Sequence, residues 1–237
     1  MCAYGDIGSD HRIGLIGNSH AIVWFPALER IAIERGWELR VWYKSGCQFT
    51  SPQRADTKPR LAEECARWVE NVQADISSGP KITWIATSTH GASTWADADG
   101  EETGLAAREA MRSAWGPLTE AGVEIVAIRD YPKSSDGILA CVERAGPKAV
   151  DECAMLRSDV LTDRDEMYEQ ALAMEGAHGI DLTDAICDAN TCWTAAGHVK
   201  VYRDRSHLSN TFAASIWPLM EQRLEEAGLI DAVLAAG

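Results

Sequence analysis

Short apolar runs alternate along the chain with longer amphipathic stretches, and this alternation indicates how the chain folds. Each run has the length of a buried strand, and Gly17 at the end of the first run permits a sharp exit. Between the runs, apolar residues recur at helical spacing over residues 61–72 and 105–118. The runs predict strands at residues 12–17, 39–43, 82–86 and 123–128, and a short fifth strand at 180–182.

Two further helices are predicted, one after the first strand and one near the C-terminus. The first has apolar residues at helical spacing over residues 24–32 and ends at Gly36, a residue typical of helix C-caps. Pro26 requires this helix to begin late or to bend. The last helix starts from an N-cap at residue 209 or 210, and Pro218 bends or splits it.

The alternation of strands and helices predicts one doubly wound α/β domain over residues 1–237. We expect a three-layer α/β/α sandwich with a mainly parallel sheet of about five strands, because helical crossovers connect parallel strands. Residues 91–104 follow the third strand at the carboxyl edge of the sheet, where open α/β sheets bind ligands. That segment is either a solvent-exposed loop or a lid.

The charge balance narrows the class of partner. With 36 acidic and 22 basic residues the net charge is -14, which argues against nucleic acid, whose phosphates require a basic surface. Neutral sugars or small esters fit this charge better. The sequence has neither an apolar run long enough to cross a bilayer nor a signal-peptide pattern at its start.

Seven cysteines are many for a reducing compartment, and six of them fall into neighbouring pairs. Proximity along the chain predicts three disulfides, although six cysteines allow many other pairings. Zinc is the competing interpretation, but no Cys-x-x-Cys or His-x-x-x-His spacing supports a metal site. Cys2 is left over, and we interpret the chain as an exported domain cut from a longer protein. The predicted pairs are Cys47–Cys65, Cys141–Cys153 and Cys187–Cys192.

Two short motifs supply the residues of nucleophilic acyl chemistry. Ser19 follows the first strand where a helix should begin, and Asp204 and His207 are three residues apart near the C-terminus. A serine hydroxyl becomes a strong nucleophile when a histidine takes its proton and a carboxylate fixes the imidazole tautomer. The alternatives are that Ser19 is only a helix N-cap and that Asp204 and His207 only form a polar turn.

Together the two motifs resemble conserved blocks of the SGNH (GDSL-like) hydrolases, whose block I ends in Gly-Asp-Ser and whose block V is Asp-x-x-His. The sequence around Ser19 is most similar to the SGNH domain fused to the membrane acyltransferase-3 domain of surface-glycan O-acyltransferases. This resemblance implies the flavodoxin-like SGNH hydrolase fold. It covers most of the chain: residues 2–6, 16–28, 44–47 and 202–209, and Cys141, Cys187 and Cys192.

The resemblance implies a role for each motif residue. Ser19 would be the nucleophile, His207 the general base and Asp204 the carboxylate that orients it. The backbone amides of Ser19 and Gly46 would donate hydrogen bonds to the oxyanion, Gly46 standing where the family has its block II glycine.

The chain also departs from the family pattern. Asn18 replaces the block I aspartate, and residues 87–91 read Thr-Ser-Thr-His-Gly where simple hydrolases have Gly-x-Asn-Asp, so the third oxyanion donor is unassigned. Asn18, His20 and Ser88 are expected to support the site without reacting. The other histidines, His90 among them, have no partner in the sequence, and surface or structural roles are the default expectation for them. Trp95 and Trp193 are candidate platforms for stacking sugars.

Three functions follow as hypotheses. The leading one is transfer of an acyl group, acetyl above all, through an acyl-serine onto a hydroxyl of a cell-envelope glycan or glycolipid. The resemblance implies that a membrane acyltransferase-3 domain in the same polypeptide delivers this group from acyl-CoA, and that the domain itself needs no cofactor. It would then lie on the extracytoplasmic face of a bacterial membrane. The alternatives are a soluble carbohydrate esterase and a non-catalytic glycan-binding or scaffolding domain.

Overall fold

The computed structural model describes residues 1–236, in which strands and helices alternate along most of the chain. In chain order the strands are β1 (Cys2–Gly5), β2 (Arg12–Gly17), β3 (Glu38–Tyr43), β4 (Trp84–Ser88), β5 (Glu124–Ile128), β6 (Met155–Leu156), β7 (Ala177–Ile180), β8 (Thr191–Cys192), β9 (Ala195–Ala196) and β10 (Val199–Lys200). The helices are α1 (Ser19–Ile22), α2 (Phe25–Arg35), α3 (Pro59–Ser78), α4 (Gly104–Glu120), α5 (Asp136–Ala145), α6 (Ala149–Glu152), α7 (Arg157–Val160), α8 (Glu166–Ala173), α9 (Asn210–Ser215), α10 (Trp217–Glu226) and α11 (Leu229–Ala236).

The central sheet has six strands in the order β1-β3-β2-β4-β5-β7. All neighbours pair in parallel except β1, which pairs antiparallel with β3 at the edge. The chain winds outward from β2 in both directions, so the strand order reverses between β2 and β4. Ligands of open α/β sheets bind outside the carboxyl ends of the strands at such a reversal. Here those ends are Gly17 and Ser88, which pair in register.

The predicted doubly wound, mainly parallel sheet is confirmed, with differences at its two edges and in β4, which was expected at residues 82–86 and lies at Trp84–Ser88. The sixth strand, β1, was missed because its four residues, Cys-Ala-Tyr-Gly, contain no apolar run. The strand expected at residues 180–182 lies earlier, at Ala177–Ile180, where only Ile180 is buried. An edge strand with one buried residue carries too weak a hydrophobic pattern to be located from sequence.

Helices cover both faces of the sheet, which confirms the predicted three layers. On one face α2, α9, α10 and α11 pack against buried residues of β2, β3 and β4. On the other face α3, α4 and α8 form a second core. Tryptophans fix these layers: the indole of Trp84 donates to Leu229 O (3.1 Å) and that of Trp115 to Phe49 O (2.8 Å). Both side chains are fully buried, so truncating either to alanine costs about 3–5 kcal/mol.

The caps and prolines behave as expected. Pro26 lies in the first turn of α2, and Gly36 ends that helix in the left-handed conformation with φ 67°. Pro218 lies in the first turn of α10, which is separate from α9, so the last helical stretch is split rather than bent. The Ser209 hydroxyl caps α9 by accepting from the Phe212 amide. Within residues 1–236 no helix is long and apolar enough to span a membrane.

All three predicted disulfides are formed. Cα–Cα separations are 5.2 Å for Cys47–Cys65, 5.8 Å for Cys141–Cys153 and 4.0 Å for Cys187–Cys192, which leaves only Cys2 as a free thiol in the described chain. The expectation for Trp95 was wrong: its side chain is 1% exposed in the core beside α4, and its indole donates to the Thr50 hydroxyl. Trp95 therefore offers no platform for sugars, while Trp193 is half-buried.

Candidate active site

The turn from β2 into α1 presents Ser19 at the first position of the helix. Gly17 has φ 139°, and a Cβ there would lie 2.8 Å from the Ala21 Cβ, so only glycine fits this turn. Asn18 is the N-cap, since its side-chain oxygen accepts from the His20 amide at 2.9 Å. The alternative that Ser19 is merely the cap is therefore wrong. The change from aspartate to asparagine at position 18 keeps the capping oxygen.

Asp204 and His207 form a hydrogen-bonded pair in a tight loop. The imidazole Nδ1 lies 2.8 and 2.9 Å from the two carboxylate oxygens of Asp204. The loop is closed by the bridge between Tyr202 and Leu208 and by the Ser206 amide, which donates to Asp204 at 2.8 Å. Burial alone would raise the pKa of Asp204, but the hydrogen bonds from Ser206 and His207 outweigh it, so this pKa is lowered. The ionised carboxylate therefore holds the proton of the neutral imidazole on Nδ1.

That tautomer leaves the His207 Nε2 as the basic atom. Nε2 is buried and has no hydrogen-bond partner among residues 1–236, so no bond joins it to the Ser19 hydroxyl. The imidazole centroids of His207 and His20 are 5.6 Å apart, which places the base next to the first turn of α1. Catalytic hydrogen bonds are often incomplete before substrate binds. The arrangement has the parts of a serine-histidine-aspartate triad, and the roles of Ser19, Asp204 and His207 stay predictions.

Tyr131 connects the two motifs, and the sequence did not single it out. Its hydroxyl donates to the Ser206 carbonyl at 2.8 Å, and its ring stacks on His20 at a centroid distance of 5.4 Å. The Ser134 amide also donates to the Arg205 carbonyl. Tyr131 therefore holds the Asp204–His207 loop against α1. Its position just after β5, at the carboxyl edge of the sheet, is the signal that could have identified it.

A second aspartate–histidine pair is buried beside the first. His20 Nδ1 lies 2.8 Å from Asp130 Oδ1, and the other Asp130 oxygen accepts from the Gly91 amide at 2.8 Å. The Asp130 amide donates to Asp165, the N-cap of α8. Burial raises the pKa of Asp165 to about 6. His20 was expected to support the site, whereas Asp130 and Asp165 were missed because nothing in the sequence distinguishes them from surface acids.

Gly46 lies in the loop after β3, beside the end of β2. The Lys44 amide donates to the Gly17 carbonyl at 3.1 Å, and the Cys47–Cys65 disulfide ties the same loop to α3. Gly46 itself has φ 76°, which favours glycine. The oxyanion role of the Ser19 and Gly46 amides stays a prediction.

The end of β4 forms the other wall of the reversal point. Ser88 is 1% exposed, and its hydroxyl has no hydrogen-bond partner within the described chain. The Asn18 amide group donates to the Thr89 hydroxyl at 3.4 Å. His90 follows, and its ring meets that of His20 edge to face at 5.3 Å. His90 therefore has a partner in this cluster, which the sequence did not show, and its role stays untested.

Within the described chain, the surroundings of the site include a cavity and no arranged metal ligands. A cavity of about 270 Å³ adjoins the Asp204–His207 loop and is lined by Ile138, Leu139, Val142, Tyr202 and Arg203, among others. No group of three or more His, Cys, Asp or Glu side chains in residues 1–236 is arranged to hold a metal ion.

Comparison with known proteins places this chain in a family. Residues 1–222 match the family described as SGNH domain (fused to AT3 domains), AT3 being acyltransferase-3. No match was found among curated protein sequences. The fold is similar to the periplasmic domain of the Salmonella ser. Paratyphi A lipopolysaccharide acetyltransferase, with a TM-score of 0.62 and 12% identity over 94% of this chain and 85% of that one.

A second similar structure is a Bacillus subtilis protein solved by a structural genomics consortium. Its TM-score is 0.52 at 12% identity, over 93% of this chain and 58% of that one. At such identities the two likenesses establish the fold alone. The match over residues 1–222 establishes the family: the chain belongs to the SGNH domains of the type fused to AT3 domains.

Proposed function

We propose that this domain transfers an acyl group, acetyl in the first instance, through an ester on Ser19 to a hydroxyl of a cell-envelope glycan or glycolipid. The observation that carries the proposal is the Asp204–His207 pair, whose unpartnered Nε2 lies beside the helix that begins with Ser19. Membership in the AT3-fused family supports transfer over hydrolysis.

The chemistry proceeds in two displacements. In the first, the Ser19 oxygen attacks the carbonyl carbon of the acyl donor while its proton passes to His207 Nε2. Asp204 stabilises the resulting imidazolium, and His207 then gives the proton to the departing donor. In the second, an acceptor hydroxyl gives its proton to His207 and attacks the carbonyl carbon of the Ser19 ester. The acyl group passes to the acceptor, and His207 returns the proton to the Ser19 oxygen as it leaves. The negative charge formed in each step is held by the amides of Ser19 and Gly46.

Membership in the AT3-fused family supports a proposal for the donor and the location. We propose a membrane acyltransferase-3 domain of the same polypeptide as the partner that brings the acyl group from acyl-CoA. This places the domain on the extracytoplasmic face of a bacterial membrane. Three disulfides support that location, because such bonds persist in oxidising compartments. The proposed chemistry uses no cofactor within the domain itself.

The acceptor is a hydroxyl of a sugar. The Salmonella protein of similar fold is named for acetyl transfer to lipopolysaccharide. A net charge of -14 makes strongly anionic acceptors unfavourable, so neutral or weakly charged glycan units are the class we propose.

A soluble carbohydrate esterase is the second candidate, because the loop that carries the pair lies at the surface, although the His207 Nε2 itself is buried. The side chain of Asp204 is 49% exposed and that of His207 is 20% exposed. Whenever water reaches the acyl-serine before an acceptor does, the same residues hydrolyse it. The third hypothesis, a non-catalytic glycan-binding domain, was based partly on Asn18, and the capping role of Asn18 removes that part of its support.

Partitioning between water and a sugar separates the two enzymes. The domain is incubated with p-nitrophenyl acetate with and without an oligosaccharide acceptor, and both nitrophenol release and acetylated sugar are measured. A transferase forms acetyl-sugar at the expense of free acetate, and release accelerates if deacylation is limiting. Release that is unaffected by any acceptor, with acetate as the sole product, favours the esterase.

The matched control is Ser19→Ala, which removes the nucleophile and leaves the cap on Asn18 intact. We expect it to abolish both products. Turnover in Ser19→Ala equal to wild type would contradict the acyl-serine route for transferase and esterase alike.

A further inference from the structure

His90 lies at the reversal point of the sheet, next to the nucleophile turn. The ends of β2 and β4 pair in register, Gly17 with Ser88, so the segments that follow them leave the sheet from neighbouring positions. The Asn18–Thr89 hydrogen bond (3.4 Å) and the His20–His90 ring contact (5.3 Å) continue this pairing beyond the strands. The His90 imidazole is thus adjacent to the residues that flank Ser19.

The tautomer of His90 is fixed by its own loop. The Ala92 amide donates to His90 Nδ1 at 3.3 Å, so Nδ1 is the acceptor nitrogen. In the neutral imidazole the proton is therefore on Nε2, which makes Nε2–H a hydrogen-bond donor. This is the opposite of His207, whose proton is on Nδ1 and whose Nε2 is the base.

The surroundings of His90 keep it neutral. Burial is the main cause that lowers the pKa of His90 to about 4, and the nearby groups Lys133, His20 and Arg54 lower it further, while Asp130 opposes them. An imidazole with so low a pKa is a poor base at neutral pH but remains a full hydrogen-bond donor. It also adds no positive charge to the cluster around His20, which both His90 and His207 contact.

We propose that His90 donates a hydrogen bond from Nε2–H to the oxyanion that forms when Ser19 attacks the acyl carbonyl, a role that rests on the proposed acyl-serine chemistry. As the bond from the Ser19 oxygen to the carbonyl carbon forms, the carbonyl π electrons move to its oxygen, and the serine proton passes to His207. His90 stabilises that oxygen together with the Ser19 and Gly46 amides. The oxyanion then collapses and expels the donor, which takes the proton from His207.

The test compares variants that remove or replace the donor, with p-nitrophenyl acetate as substrate. We expect His90→Ala to lower kcat by about 10²–10³-fold, the usual effect of losing one oxyanion donor. His90→Gln, whose side-chain amide extends about as far as Nε2 and stays neutral at every pH, should remain within about tenfold of wild type. His198→Ala is the matched control, because His198 is exposed in the turn between β9 and β10, and it should retain wild-type kcat.

Two measurements keep this inference separate from the proposed function. Fluorophosphonate labelling of wild type that is lost in Ser19→Ala tests the nucleophile, and if wild type is not labelled the proposed function itself fails. If wild type is labelled and His90→Ala matches His198→Ala in kcat and labelling rate, the role of His90 alone is overturned. It is also overturned if His90→Gln is as impaired as His90→Ala, or if the loss follows a drop in melting temperature.

Discussion

Two aspartate–histidine pairs lie side by side in this molecule, and their surroundings differ. In the Asp204–His207 pair the side chains are 49% and 20% exposed, and the acid and base are three residues apart in one loop. In the Asp130–His20 pair they are 6% and 9% exposed, and the partners come from different elements, the end of β5 and α1. The same hydrogen bond therefore suits proton transfer at the open pair and positioning at the buried one.

The hydrogen bonds of the polar atoms also differ between the two pairs. His207 Nε2 is buried but has no partner in the described chain, so the basic atom of the more exposed pair has no hydrogen bond to break before it takes a proton. Both oxygens of Asp130 are engaged, one by His20 and one by the Gly91 amide. We infer that the buried pair holds α1, the β5 end and the loop after β4 together.

The largest expected effect comes from deleting the His207 imidazole, with deletion of the His20 imidazole as the comparison. We expect His207→Ala to lower kcat/KM by at least about 10³-fold, because it removes the general base. His20→Ala should lower it by about tenfold, through loosening of Tyr131 and α1. The measurement is p-nitrophenyl acetate hydrolysis by folded protein, at a pH above which the wild-type rate no longer rises. Equal losses in the two variants would erase the distinction between the pairs.

Asp204→Asn should have the next largest effect. The amide cannot stabilise the imidazolium and allows the wrong tautomer, so we expect kcat to fall by about 10²-fold or more with the fold intact. Circular dichroism and steady-state kinetics on the same preparation check this. A variant that retains wild-type kcat would show that the carboxylate is only part of a polar turn.

Asp130→Asn should affect stability more than chemistry. An asparagine has only one side-chain oxygen, so it cannot replace both Asp130 oxygens, which bond to His20 and to the Gly91 amide. One buried group is left without its hydrogen bond, and we expect the free energy of unfolding to fall by about 2 kcal/mol. Urea unfolding measures the loss, and activity per folded molecule should fall less than in Asp204→Asn. Unchanged stability would mean that Asp130 does not hold the three elements together.

The smallest expected effect is a pH dependence from Asp165, which supports Asp130 through its backbone. The pKa of Asp165 is about 6, against 3.8 for the unperturbed carboxyl. The folded protein therefore binds this proton more tightly than the unfolded chain does, and the resulting stability is lost as the pH rises from about 4 to about 6. Relative to Asp165→Asn, wild type should lose on the order of 1 kcal/mol of unfolding free energy across that range. A parallel pH profile for both proteins would contradict the assignment.

The strands of the sheet centre and the first motif were predictable because their signals are local. The apolar run of β2, the glycine at its end and the cysteine pairs each depend on neighbours in sequence, and each was predicted correctly. The edge strand β1 and the partners of His20 were not predictable, since they depend on contacts across the fold. Asp130 is 110 residues from His20, and neither residue type indicates that contact.

Trp95 illustrates the opposite error. A tryptophan in a loop rich in small and polar residues predicts exposure, yet the loop folds back so that Trp95 fills the space beside α4. Sequence patterns describe the regular elements better than they describe loops, because loop residues are buried by tertiary packing alone.

The central claim is that Ser19 forms the covalent intermediate with His207 as its base. The most direct measurement is intact-protein and peptide mass spectrometry after reaction with a fluorophosphonate, on wild type, Ser19→Ala and His207→Ala. The account predicts one adduct per wild-type molecule, on the peptide containing Ser19, none in Ser19→Ala and much slower labelling in His207→Ala. An adduct on another residue, or labelling that persists in Ser19→Ala, would contradict it.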